Sequence, residues 1–387
     1  MNFRVSYIFA IFLLLPLLSS CAVAPDEHKE THGSTHPLDE DELLVLDPPA
    51  DYLRHLADME MEVVDVTPLS SIGSTLYHLR ITDGAHPFDG RETHKRRFPD
   101  VVVDVHHHYE HHAAKVDKTY TARKAANWGS VSNSCAKGIR VGVIDGTVDV
   151  KHPAFKGTKV NYRSFHLKGQ KLARSGHGTA VTSVITGRGA WAGLLPGAEI
   201  FAANVFHKGS SGKPLGSAKA IVRAIDWLVK SKVPIINLSM GGGANALIGV
   251  AMKHASSKGI ILIGSAGNSG QFSRRKNYPG AYPSVMAITA VDSDNRNARF
   301  ASTGKHIEFA TPGVGIWSAV PGGGKAMSGT SFSAPIFTAY AAAAMKRDNL
   351  KTADDIRKYF KKHAKDTAEP GHDKYTGWGV VQVPPIC

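Results

Sequence analysis

The 387 residues predict an α/β chain: a doubly wound, mostly parallel sheet preceded by a small α+β unit. Two observations carry this. From Ile139 onward, short apolar runs alternate with helical segments, the pattern of strands covered by helices on both faces. Upstream, between about 50 and 112, shorter runs alternate apolar with polar residues around one helical piece. Ile139 to Ile144 reads as the first buried strand, followed by 200–206, 234–238, 260–264 and 285–291. Helices at 217–231, 246–258 and 352–364 alternate with these strands, and 265–284 reads as irregular chain. His177 opens a helical segment ending at Gly187. Ile336 to Lys346 reads as an Ala-rich helix with Pro335 in its first turn, where N–H groups lack an intrahelical partner.

The amino end reads as an address. Arg4 and the free amine precede an apolar stretch from Tyr7 to Leu18, too short for a permanent span and suited to a secretory signal. Leu18-Ser19-Ser20-Cys21 resembles the bacterial lipoprotein box, in which cleavage exposes a cysteine that receives acyl chains, so Cys21 is the expected lipidation site. The other reading is an ordinary signal peptide followed by an incidental cysteine. Residues 1–21 then form the signal, 22–48 a flexible acidic and His-rich tether, 49–112 the α+β unit, 113–122 a linker and processing region, and 123–387 the main domain. Inside the α+β unit, strands are expected at 61–66, 75–81 and 101–105, with a helix near 89–97.

Three motifs set an Asp, a His and a Ser in apolar or Gly-rich surroundings: Val143-Ile144-Asp145-Gly146, Gly176-His177-Gly178-Thr179 and Gly329-Thr330-Ser331-Phe332-Ser333-Ala334-Pro335. A fourth, Ser265-Ala266-Gly267-Asn268-Ser269-Gly270, offers an amide side chain. An alcohol attacks poorly at neutral pH. It needs an imidazole to take its proton, a carboxylate to orient that imidazole, and donors for the developing negative charge. Singly, each residue has a plainer role: Asp145 as a turn former, Ser331 as a helix cap, His177 as a loop histidine, Asn268 in a left-handed turn. Asp145 also falls at the carboxyl end of its strand, where open α/β sheets place their sites. A helix after Ser331 favours negative charge at its amino end by about 0.3–1 kcal/mol.

Together these residues resemble the subtilisin-like serine proteases, or subtilases, over roughly residues 123–383. The order Asp, His, Ser separates that lineage from chymotrypsin-like and α/β-hydrolase enzymes, and the separations of 32, 91 and 63 residues along Asp145, His177, Asn268 and Ser331 are similar to the family's. The resemblance implies a serine endopeptidase acting on peptides or proteins, with Asp145, His177 and Ser331 catalytic and Asn268 in the oxyanion hole. One departure bears on how the carboxylate is held: the family usually has Thr or Ser and then Gly after the Asp, whereas Gly146-Thr147 follows here. The resemblance further makes Ser239, Met240 and Gly241 a strand edge that pairs with an extended peptide, and Gly264, Ser265, Ala266 and Gly267 the opposite wall of the primary pocket. A Gly-rich loop serving chain reversal is the plainer alternative. Pocket preference is not legible, because the residue at the floor cannot be placed.

The unit at 49–112 resembles subtilase propeptides, which assist folding and then occupy the active-site groove; a separate adhesion or interaction module is its rival. On the propeptide reading the protein is a zymogen, exported from a bacterial cell and held on the membrane by its lipid. Self-cleavage between about 106 and 122 would release the catalytic domain. As a whole, the alternative to an enzyme is a non-catalytic surface module that kept the fold for binding.

Charge supports a pairing of the two parts. Residues 22–65 carry 13 Asp/Glu against two Lys/Arg, while 66–387 carry a net +23. The basic residues are scattered and no nucleic-acid motif occurs, so nucleic acid is not an expected partner. Twelve of the 20 histidines lie in 22–122, including His106-His107-His108 and His111-His112. Acidification would charge such a cluster and loosen it from the basic domain; adventitious metal binding and a solvated linker are the competing readings. No cofactor is expected. Subtilases often bind calcium, but no Asp/Asn-rich loop here has convincing ligand spacing, so no metal site is legible. Cys135 and Cys387 are left either as a disulfide, which export permits, or as two thiols.

Overall fold

The computed structural model describes residues 38–110, 120–129, 131, 136–173, 176–273 and 275–383. The expected signal segment, Cys21, His111, His112, Cys135 and Cys387 lie outside the described residues.

Two sheets organise the chain. The amino-terminal one contains β1 (Leu38–Leu46), β2 (Met61–Leu69), β3 (Ser74–Ile81) and β4 (Val102–Tyr109), with α1 (Pro87–Arg97) between the last two. The strands pair antiparallel in the order β2-β3-β1-β4. Their two-residue period splits the side chains between faces. Leu43, Val45, Leu79, Ile81, Val103 and Val105 pack with Tyr52 and Phe88 in the unit's own core. Leu44, Leu46 and Leu76 point the other way, into a cluster shared with the main domain. The expected strands and helix of this unit are present. The expected tether is corrected at its end: residues 38–46 form β1, which lies between β3 and β4. The acidic run before Leu43 disguised a strand whose next four residues are all apolar and buried.

The main sheet is assembled from β5 (Arg140–Asp145), β6 (Val160–Ser164), β7 (Glu199–Asn204), β10 (Ile235–Leu238), β11 (Ile261–Ser265), β12 (Met286–Val291), β13 (Ile307–Pro312) and the short β14 (Ala364–Lys365) and β15 (Val380–Val381). Two further short strands, β8 (Phe206–Lys208) and β9 (Pro214–Ser217), leave it to extend the first sheet. The main order is β14-β15-β13-β12-β11-β10-β5-β7-β6, parallel except for the antiparallel β14–β15 pair. Val141, Val143, Ile235, Ile261 and Ile263 pack toward α2 (His177–Thr186), α5 (Thr330–Asp348) and α6 (Ala353–His363). Ile144, Ile236 and Leu262 pack toward α3 (Ala218–Lys230) and α4 (Ala246–Ser257) on the opposite face. This is the doubly wound arrangement expected. Tyr120–Thr121, placed in the linker by the sequence, instead pairs with Ile316–Val320 in a small third sheet. Among the described residues, no helix is long and apolar enough to cross a membrane.

β4 stitches the two parts together. It pairs antiparallel with β9 through Tyr109 with Gly216 and His108 with Ser217. Polar pins flank the apolar contact: Asp104 accepts from Ala246 N at 2.8 Å, Asn245 Nδ2 donates to Val105 O at 3.0 Å, and Asp226 accepts from Ser71 N at 2.6 Å. His106, His107 and His108 are all buried in this contact, so the solvated-linker reading fails for them. The carboxylate of Glu42 accepts from His78 Nε2 at 2.6 Å and His106 Nδ1 at 2.8 Å, while Lys219 Nζ lies 3.2 Å from His78 Nδ1 and also binds Asp65. Burial alone would raise the Glu42 carboxyl, but the hydrogen bonds from His106 and His78 overcome it and draw it down to about 2.

A second histidine sits deeper. His94 on α1 is fully buried, hydrogen-bonded to Tyr52 Oη at 2.8 Å and packed on Phe98. Burial lowers its pKa from 6.5 to about 4. The unfolded chain therefore takes a proton below pH 6.5 that the folded unit refuses until about pH 4. Stability is intact above that window and falls as pH drops through it, by about 2 kcal/mol between pH 7.5 and 5. Amide hydrogen exchange of β1–β4 at the two pH values measures this. The protection lost on acidification should shrink by more than half in His94→Gln, and an unchanged loss would place the sensitivity elsewhere.

Candidate active site

Asp145 ends β5 at the carboxyl edge of the sheet, buried to 1% exposure. Its Oδ1 accepts from Gly146 N at 2.6 Å, so the residue after the Asp holds the carboxylate through its backbone. Thr147, the next residue, turns its hydroxyl to Ala173 O at 2.8 Å. His177 is the first residue of α2 and meets the carboxylate through Nδ1, 2.8 Å from Oδ1 and 3.1 Å from Oδ2. A carboxylate there fixes the tautomer protonated at Nδ1 and gives Nε2 the basic lone pair. The two motifs can approach only because Gly178 lacks a side chain: a Cβ there would lie 2.3 Å from Gly146 O.

Ser331 is the second residue of α5, which begins at Thr330 rather than at the expected Ile336. Pro335 is thus inside the helix, and it lacks the N–H that would reach back to the Ser331 carbonyl. Ser239 Oγ supplies that missing donor at 2.9 Å, and Ser331 Oγ in turn donates to Ser239 O at 3.2 Å. The His177 ring lies 5.6 Å, centroid to centroid, from Phe332, the residue after Ser331. Asp145, His177 and Ser331 are therefore gathered at one place.

Asn268 joins them through Thr330. Its Oδ1 accepts from both Thr330 N and Thr330 Oγ1 at 3.0 Å, which settles which end of the amide is oxygen and which is nitrogen. Thr330 Oγ1 also accepts from Gly267 N at 3.1 Å. Sequence reasoning missed Thr330 as a positioning residue, although it directly precedes Ser331.

The residues expected as substrate walls lie beside Ser331 and Asn268: Ser239 exchanges hydrogen bonds with Ser331, and Gly267 directly precedes Asn268. Ser239, Met240, Ser265 and Ala266 are buried, and Ser265 Oγ donates to Met240 O at 3.3 Å. Gly241 exchanges two backbone hydrogen bonds with Glu110, 2.9 and 3.2 Å, so the chain leaving β4 runs antiparallel along that edge. Tyr109, fully buried, caps the contact by donating to Gly243 O at 3.0 Å. A Cβ on Gly242 would lie 2.5 Å from the Tyr109 ring.

Among the described residues, Glu42, His78 and His106 form one group with metal-ligand spacing, well away in sequence from this centre. A ligating histidine normally turns its other nitrogen, as N–H, to an acceptor. Here the other nitrogen of His78 faces the Lys219 ammonium, which can only donate. That polarity suits a neutral His78 passing a hydrogen bond on to Glu42 better than it suits a metal ligand.

The subtilase family model matches residues 136–379, more than half of the chain. Over 214 residues the chain is 32% identical to the minor extracellular protease Epr of Bacillus subtilis strain 168, covering 54% of this chain and 32% of Epr. It is 30% identical to subtilisin DY of Bacillus licheniformis over 257 residues, covering 63% of this chain and 89% of that protein. The solved structure of fervidolysin from Fervidobacterium pennivorans shares the fold with a TM-score of 0.75 at 22% identity, covering 91% of this chain and 61% of fervidolysin. The chain thus spans less than two thirds of Epr and of fervidolysin. By its family match and its fold, the chain belongs to the subtilase family of serine endopeptidases.

Proposed function

We propose that this protein hydrolyses peptide bonds through Ser331, His177 and Asp145, that it is made as a zymogen, and that it is exported as a lipid-anchored protein. The observation that carries the catalytic reading is the Asp145–His177 pair set beside the amino end of α5. Ser331 Oγ adds to the scissile carbonyl as His177 Nε2 takes its proton, and Asp145 stabilises the resulting imidazolium. Asn268 Nδ2 and the first-turn N–H of Ser331 donate to the oxyanion. The imidazolium then protonates the leaving amine, and water, deprotonated by the same imidazole, opens the acyl-enzyme. Extended substrates pair with the Ser239–Gly241 edge by strand addition.

The zymogen reading is supported by Glu110, which already holds the hydrogen bonds of Gly241 that a substrate would use. On this reading, residues 38–110 are a propeptide docked over α3 and α4, and the bond to be cut lies between Glu110 and about residue 122. The lipid anchor, read from Leu18 to Cys21, sits on the propeptide side of that cut, so processing detaches the catalytic domain from the bacterial membrane.

Four outcomes test these statements. A fluorophosphonate probe should label the wild-type protein once it has processed itself and fail to label Ser331→Ala; equal labelling would remove Ser331 as nucleophile. Asn268→Leu, which keeps the side chain's bulk but removes the donor, should lower kcat about 10²–10³-fold with little change in KM. Thr330→Val should show part of the same loss, because it removes one of the two donors that hold the Asn268 amide. In membrane fractionation, the catalytic domain of the wild type should become soluble while that of Ser331→Ala stays with the membrane. Equal retention would rule out release by self-cleavage.

A further inference from the structure

The space between the two substrate walls is not empty. Asn277, from the irregular stretch after β11, reaches across it: Nδ2 donates to Ser265 O at 3.2 Å and approaches Met240 O at 3.5 Å, tying one wall to the other. With Nδ2 committed to carbonyls, Oδ1 lies over Gly241. A Cβ added to Gly241 would sit 1.8 Å from that oxygen, and one added to Gly267 would sit 2.7 Å from Asn277 Cβ. Beneath it the backbone closes the floor. A Cβ on Gly264 would be 2.8 Å from Gly280 Cα, and one on Gly280 would be 2.3 Å from Ser265 O. Gly241, Gly264, Gly267 and Gly280 are therefore glycines that make room for a plug and its floor. They do not line an open slot.

We propose that Asn277 is the specificity-determining residue of this site, filling the primary pocket so that only alanine, glycine or serine fits on the acyl side of the cleaved bond. This rests on the endopeptidase reading and deepens it by naming the substrate class. The physical reason is volume. A substrate side chain that extends past Cβ enters the space already held by the amide. Swinging the amide aside would leave the Ser265 carbonyl, in a buried residue, without its donor, so opening is resisted as well as unoccupied. Discrimination in such a pocket runs at about 10–200-fold per methylene, so a benzyl group should be rejected by at least about 100-fold.

The test uses full-length protein that has processed itself and a set of quenched-fluorescent peptides differing only in that one residue: Ala, Ser, Leu or Phe. Wild type should cleave the Ala peptide at least about 100-fold better than the Phe peptide in kcat/KM. In Asn277→Gly the ratio should fall below about 5, through a gain in kcat/KM on Phe and Leu. Fluorophosphonate labelling accompanies each assay. A labelled enzyme with no Ala preference, or an unchanged ratio in Asn277→Gly, overturns the pocket assignment alone, whereas a wild type that neither labels nor cleaves overturns the endopeptidase reading with it. Should Asn277→Gly not fold, digestion of a proteome-derived peptide library by wild type decides: small residues before the cut support the proposal, and leucine or aromatic residues overturn it.

Discussion

The first turn of α5 is the constraint on which the site depends. A proline inside that helix frees the Ser331 carbonyl, and a buried carbonyl cannot go unbonded without a cost of about 1–3 kcal/mol. Ser239 meets it from β10's loop, Gly267 N meets the Thr330 hydroxyl from the opposite wall, and Asn268 meets the Thr330 N–H. One helical turn is thereby tied to both sides of the cleft. The same bonds that satisfy the helix start place the Ser331 alcohol, the Asn268 amide and the Ser239 segment in fixed relation, so the site's geometry follows from completing the backbone's hydrogen bonds.

The acid and the base are held by a different device, close approach. Gly178 lets the start of α2 touch the Gly146 backbone, and Gly146 N in turn holds the Asp145 carboxylate. The departure Gly146-Thr147 therefore leaves the carboxylate with a backbone donor, which any residue but proline at that position would supply. What the swap changes is the hydroxyl, which Thr147 sends to the loop at Ala173.

The site motifs were legible in sequence because their residue types are chemically rare in combination and their order is informative. Thr330 and Asn277 were not, because a threonine beside a serine and an asparagine in an irregular loop acquire meaning only when distant walls close around them. Short, largely apolar strands such as β5, β10 and β11 were read correctly, since burial on both faces leaves few polar positions to confuse. β1 was hidden by four consecutive acidic residues, β6 by Asn161 and Arg163 at alternate positions, and β13 by Glu308 and Thr311 in a six-residue run. Pro335 misled the start of α5: the general preference for proline in a first turn yielded to a local partner, Ser239, that satisfies the carbonyl it abandons.

Docking of the amino-terminal sheet follows the same logic with larger stakes. Leu44, Leu46 and Leu76 bury apolar surface against α3 and α4, which is worth most of the contact energy at about 25 cal/mol per Å². The polar network of Glu42, His78, His106 and Lys219 beside them contributes little net energy, because its desolvation offsets its hydrogen bonds. Its value is in register. Each member has one partner arrangement that satisfies it: Lys219 can only donate, so His78 must accept there and donate to Glu42, and Glu42, kept ionised by that donation, draws the His106 N–H as well. A slip of β4 by one residue would turn His106 and His108 to the opposite face, costing Glu42 one of its two histidine donors and Ser217 its contact with His106. Apolar area thus holds the sheet down, and His106, bonded to Glu42 and Ser217, favours one resting place for the last strand, in which Glu110 meets Gly241.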